Sequence, residues 1–491
     1  MGGEIYMTGK WRLICCMMAI LMISAACGKK NPPKNMKTLV WYYVNDGGND
    51  DGSVSNAANK IIGEKLGVQV DFNPIHSEEY TKKIQLKASA AERFDIVFTS
   101  DWMFDYRSNI EYGAFAPIEN LIEKYAPQTN RSIIDKVWDA VTVGGHIYAV
   151  PNYQVAFRQK AIVFKKELVD KYSLKAEIDR AETMADFTPI LQKIHMNEPD
   201  VIPTTVTPYI WSGNFGDESL FFEDPIKNVP IGIDMNGNVL NLTENPYRRI
   251  NIDNAELSHK WNSSGFYMSD IDIRTNFTAE KNAGKVFMFD DVYKPGIEID
   301  MQSRYGYPVY VKAIGIPILT NDSACAALTA VSRTSADKVT AVRLIELLNT
   351  DKELYNLLVY GIKDRDYKKI SDNTVEILPD RRYSAYAWAM GSQFNAFFIK
   401  GQSSNIWELT KKLNAEARRG PLLGKSIDAE PVKENIARIR ELYSKLEISN
   451  ASREDGYEQI LGDYYGRIEN DVKVIYDEIV KQNATKQGGD Q

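Results

Sequence analysis

The sequence predicts an α/β fold of two lobes, with a largely helical C-terminal region. Three observations carry this. From Thr38 onward, runs of strand formers alternate with amphipathic helical stretches, the pattern of a doubly wound sheet. A strand is interrupted at Pro151 and resumes at Ala161, which suits a crossing between lobes. The tail carries one apolar stripe at helical spacing, Val472, Ile475, Tyr476, Ile479 and Val480.

Leu39 to Val44 is a strand, ended by the turn-rich Asn45 to Gly52. Ser53 or Ser55 is placed to cap the next helix, whose apolar face is Ala58, Ile61, Ile62 and Leu66. Gly67 supplies its stop. Val68, Val70 and Phe72 alternate with polar residues as a strand, and a second amphipathic helix spans roughly 78–91. Phe94 to Phe98 is mostly apolar, like a buried parallel strand. Residues 199–310 are less regular, with a hairpin turn at Asn236-Gly237 and a strand at Val286 to Asp291. Cys325 to Val331 is apolar and precedes a helix over 336–348 that Ser335 can cap.

The first residues form a targeting segment. Lys10 and Arg12 precede 14 apolar or small residues, Leu13 to Ala26, short of the ~20 needed to span a bilayer. Ser24-Ala25-Ala26-Cys27 then resembles a bacterial lipobox, although Ser24 stands where Leu is usual. Cys27 is the expected lipidation site, and residues 28–37 are a polar tether. The only later cysteine is Cys325, so no internal disulfide can form beyond Cys27. The net charge of −7, with both signs interspersed, excludes the concentrated basic face that nucleic acid requires.

No metal or cofactor is expected. Histidines 76, 146, 195 and 259 lack metal-ligand spacing, and the acidic loop Asn45 to Asp51 lacks the EF-hand pattern. No G-x-S-x-G, Walker or G-x-G-x-x-G motif occurs. In open α/β sheets ligands bind beyond the carboxyl ends of the strands. Two loops lie there, which brings forward Asp46, Asp101 and Trp102.

Four segments in order carry a resemblance to the family 1 extracellular solute-binding proteins of ABC importers: the lipobox and tether, Phe94 to Phe98 followed by Asp101-Trp102, Gly145 to Pro151, and Ala327 to Ser332 with its following helix. Leu358 to Ile362 with Asp366-Tyr367, Trp388 to Phe394 and Gly420 to Gly424 are similar to a subgroup with an appended C-terminal domain of unknown function. The resemblance implies a two-lobed periplasmic-binding-protein-like (type II) fold that closes on a small solute, a sugar or oligosaccharide. It also implies a lipid-anchored, extracellular, monomeric, non-enzymatic protein that hands its ligand to ABC permease subunits. The expected division is 38–153 plus 327–375 for lobe one, 154–326 plus 376–419 for lobe two, and 420–491 for the C-terminal region.

A sugar presents an apolar face of C–H groups and an edge of hydroxyls. A flat aromatic ring covers the first, and carboxylates or amides meet the second. Trp102, Tyr209 with Trp211, and Trp388 are the candidate platforms. Asp46, Asp101, Asn152 and Asp290, beside Asp291, are the polar candidates. Trp138 and Trp407 lie in helical contexts and read as structural. Two other classes compete: a surface glycoside hydrolase using two carboxylates across a cleft, and an anchored protein-interaction module.

Overall fold

The computed structural model describes residues 36–48, 50–208, 221–267, 278–445 and 457–487. Lys37–Val44 pairs in parallel with Val68–Ile75 over its whole length, Lys37 opposite Val68 and Val44 opposite Ile75. On its other side it meets Ile96–Thr99, also in parallel. Leu328–Val331 runs antiparallel to that strand, and Ala149–Pro151 antiparallel to it in turn, completing five strands. Leu39, Trp41 and Tyr43 alternate into the core, while all four residues of 96–99 are buried, as a central strand covered on both faces demands.

The intervening helices are Ser53–Leu66 and Ser77–Ser89. Gly67 ends the first in the left-handed region at φ 69°, with its N–H on the Gly63 carbonyl. Its start differs from the expectation. Neither Ser53 nor Ser55 caps it; the Asp50 carboxylate accepts from the N–H groups of Gly52, Val54 and Ser55. An ionised acceptor reaching three donors outcompetes a hydroxyl that can satisfy one. The helix expected at 336–348 runs Lys338–Thr350, capped by Asp337 rather than Ser335, whose hydroxyl instead donates to buried Asp95 at 2.6 Å.

A second five-stranded sheet has the order 418–419, 309–319, 158–165, 286–292, 202–204. Its central strand Arg158–Lys165 lies antiparallel to both Val286–Val292 and Val309–Leu319. The chain passes between the sheets at 151–158, at 319–328, and where helix Ile406–Glu416 leads into Arg418–Arg419. Asn414 fastens the first and third passages together: it accepts from Ala156 N at 2.9 Å and donates to Gln154 O at 2.7 Å.

One expected boundary differs in the structure. Within 376–419, expected in lobe two, Ala389, Met390 and Ala396 join the core of lobe one, with Tyr386, Trp388, Phe394 and Trp407 packed against it. Phe98 meets the Trp388 ring edge to face at 5.4 Å, and the Tyr355 hydroxyl donates to the Ala387 carbonyl at 2.8 Å. The C-terminal region packs against residues 226–255 of the expected second lobe. Helices Lys433–Ser444 and Tyr457–Gln487 share a core with the hairpin Ile231–Asp234 and Val239–Asn241 and with helix Tyr247–Ser263. Val472, Ile475 and Ile479 are the buried part of the tail's stripe, and Ile231, Ile252 and Ile439 oppose them.

Candidate functional site

Three parallel strands of the first sheet end at Val44, Ile75 and Thr99, and the 149–151 strand ends on the same edge beside the start of 328–331. This edge gathers the loop 45–52, the turn at His76-Ser77, the loop 100–105 and Asn152. The segment 378–397 lies across it. Asn45 donates to Ser384 O at 3.1 Å, and at Gly47 any Cβ would run into the Ser384 carbonyl.

Asp46 sits at the centre of the edge. Its carboxylate accepts from Ser77 N and Ser77 Oγ, both at 2.6 Å, and from the Tyr386 hydroxyl at 2.8 Å. Burial alone would raise its pKa, but these bonds and nearby His76 hold it below the usual carboxylate range. Conversely, burial, then the hydrogen bond to Asp46 and the Asp46 charge, push the Tyr386 hydroxyl up to about 12. Arg304, on helix Ile297–Tyr305 of the second lobe, is near enough to oppose that shift.

Trp102 stands out from the edge, 56% exposed, with its Nε1–H donating to Ala326 O at 2.9 Å. Ser100 Oγ fixes the turn beneath it by accepting from the N–H groups of Trp102 and Met103. The ring of Trp388 lies 5.8 Å away, edge to face, and Tyr386 stacks on Trp388 at 4.8 Å and 19°. Buried Phe98 supports both indoles from below. The result is a shelf of three rings bordered by one hydrogen-bonded carboxylate.

Among the expected residues, Asp46, Trp102 and Trp388 therefore come together. Asn152 does not face solvent: it is buried, accepts from Thr329 Oγ1 at 2.9 Å and donates to the Trp388 carbonyl at 3.2 Å. It supports the shelf because a polar side chain leaving a strand at the crossing finds backbone and hydroxyl partners inside. Asp101 is largely buried beside the exposed Trp102 and feels the charges of Asp322, Arg158 and Lys227. One of its oxygens is buried without a hydrogen bond, and burial, then the Asp322 charge, raise its pKa to about 6. Glu223 and Asp224 share that neighbour and are raised to about 7 and about 6, again chiefly by burial. Asp290 lies on the second sheet opposite Ile162, close enough to Lys160 to counter the burial that lowers that amine to about 8. Asp291 is 3.8 Å from Arg304. Tyr209 and Trp211 lie outside the described residues.

Tyr386 and Ser77 were not anticipated. The spacing Tyr386-Ala387-Trp388 next to a favoured tryptophan was the available signal for the first; Ser77 carried none. An open hollow of about 460 Å³ lies elsewhere on the second lobe, over Asp179, Glu182, Lys312 and Gly315, and no aromatic side chain lines it. Among the described residues no group of histidine, cysteine or acidic side chains is arranged to hold a metal ion.

Residues 51–353 match the model of the bacterial extracellular solute-binding protein family, and the chain belongs to that family. It is 26% identical over 440 residues, covering 84% of this chain and 85% of the relative, to a carbohydrate ABC transporter substrate-binding protein of Streptococcus pneumoniae. Its fold is similar to the crystal structure of the N-glycan transport solute binding protein NgtS from the same organism. That match has a TM-score of 0.77 and 24% identity, and it covers 91% of this chain and 99% of NgtS. NgtS in complex with Man5GlcNAc matches with a TM-score of 0.72, 23% identity and coverage of 93% and 99%.

Proposed function

We propose that this protein is the extracellular substrate-binding component of an ABC import system and that its ligand is an oligosaccharide. The shelf of Trp102, Trp388 and Tyr386 carries this reading. Its flat rings suit the C–H faces of successive sugar units. Asp46 already accepts three bonds, and His76 Nε2 lies 3.5 Å from its Oδ1, so the carboxylate borders the shelf as a fixed negative charge. Arg304, Asp290 and Lys160 furnish polar groups on the second lobe, and closure about the three passages brings the two walls together. The ligand stabilises the closed form by its differential affinity for it, and that form is what permeases recognise. The carbohydrate-binding relative and the oligosaccharide complex of NgtS support the same ligand class. Cys27, once lipidated, anchors the protein to the outer face of the cell membrane as a monomer.

The test is a thermal-shift and calorimetric screen of residues 28–491 against Man5GlcNAc, shorter mannosides, other oligosaccharides, amino acids and peptides. A ligand at 100 times its Kd adds about 2.7 kcal/mol of stability. Saturable oligosaccharide binding without consumption of the sugar is expected. Peptide binding alone would overturn the ligand class, and turnover of the sugar would point to a glycosidase.

A further inference from the structure

Asp366 lies under the segment that carries the shelf, and its surroundings are organised around its charge. It is 0% exposed. One carboxylate oxygen accepts from Ile362 N at 2.8 Å and from Arg365 Nε and Nη2 at 2.9 and 2.7 Å. The other accepts from Arg382 N at 2.9 Å and Tyr383 N at 3.2 Å. Burial would raise its pKa, but the guanidinium and the three backbone donors hold it below the usual range. Gly361, with φ 80°, gives the carboxylate its room, because a Cβ there would overlap it.

The same arginine reaches the other side of the site. Arg365 Nη1 donates to Ser53 Oγ and lies 3.4 Å from Asp51, at the end of the loop that bears Asp46. We propose that Arg365 and Asp366 are positioning residues for the ligand shelf: Asp366 fixes the backbone at 382–383 from which Tyr386 and Trp388 project, and Arg365 ties that segment to the Asp46 loop. Tyr386 and Asp46 thereby meet at hydrogen-bonding distance before any ligand arrives. The geometry is one of preorganisation, in which side chains that touch the ligand are held by a second set that does not. This rests on the reading of the shelf as the ligand site.

Two measurements on the full chain test it: the near-ultraviolet circular dichroism of the Tyr386–Trp388 stack without ligand, defined by difference against W388F, and affinity for Man5GlcNAc. Arg365→Gln is expected to remove much of the stack signal and weaken Man5GlcNAc binding by about tenfold, with Arg365→Lys recovering part of both. Asp366→Asn is expected to do the same, and if it does not fold, the Arg365 variants decide. A folded Arg365→Gln protein that keeps the stack signal and binds within about twofold of the original overturns the proposal. If W388F itself binds Man5GlcNAc unchanged, or the original chain does not bind it, the shelf reading is what fails, and the stack signal alone still decides the positioning role.

Discussion

The indoles of Trp102 and Trp388 meet edge to face at 63° with their centroids 5.8 Å apart, one on the loop after a central strand and the other on a segment from the last third of the chain. Their contact makes one surface out of two distant pieces of sequence. Everything that orients either piece therefore bears on the shape of that surface.

Trp102 is 56% exposed, so its removal takes little from the core. Trp102→Ala is expected to change stability by less than about 1 kcal/mol and to weaken oligosaccharide binding at least about tenfold. Trp41→Ala, at a site 1% exposed, should instead cost about 3–5 kcal/mol. Melting curves and titration calorimetry of both variants check the contrast. An unfolded Trp102→Ala protein would make Trp102 a core residue.

Asp101, Glu223 and Asp224 titrate near 6, 7 and 6 in the folded chain, above their ordinary values, because burial and the charge of Asp322 disfavour ionisation. The folded state thus holds more protons than the unfolded one between about pH 4 and pH 7, and through that window stability falls as pH rises. Asp322→Asn removes a shared repulsion, so its stability should decline less between about pH 5 and pH 7.5. Denaturant midpoints measured across that range give the slopes, and equal slopes in the two proteins would rule out Asp322 as a common cause.

Asn414 is 0% exposed and bonds both Ala156 N and Gln154 O. Asn414→Ala leaves both backbone groups without these partners and should cost about 1–3 kcal/mol. It should also loosen the first passage against the third. Urea denaturation reads the stability, and small-angle scattering with and without ligand reads the lobe separation. An unchanged midpoint would mean the clamp contributes nothing.

Cys27→Ser should release the protein into the medium, detected by comparing membrane and supernatant fractions. Undiminished membrane retention would refute anchoring through this residue.

The strand and helix alternation from Lys37 to Thr99 was legible because each element writes its own period locally. Trp102 and Asp46 were legible as loop residues at strand ends, a rule of topology. Tyr386, Ser77 and Asp366 were not, because each acts through a partner distant in sequence or through the backbone, and neither leaves a periodic trace. Asn152 looked like a ligand contact because sequence places a side chain at an edge but does not say which way it turns; its amide bonds inward to Thr329 and the Trp388 carbonyl. The caps failed in one consistent direction, with Asp50 and Asp337 displacing nearby serines because ionised acceptors bind the free N–H groups more strongly. The third core was hidden because it joins a hairpin near residue 235 to helices beyond 433.

The strand Leu328–Val331 sits between Ile96–Thr99 and Ala149–Pro151, so an interior strand of the first sheet comes from a part of the chain made after the whole second sheet except its last short strand. On the ribosome, residues 37–151 emerge with an open slot where that strand belongs, its apolar edges unpaired. The first lobe cannot close until most of the second has been synthesised, and a chain cut short near residue 320 would leave that slot as a template for pairing with another molecule.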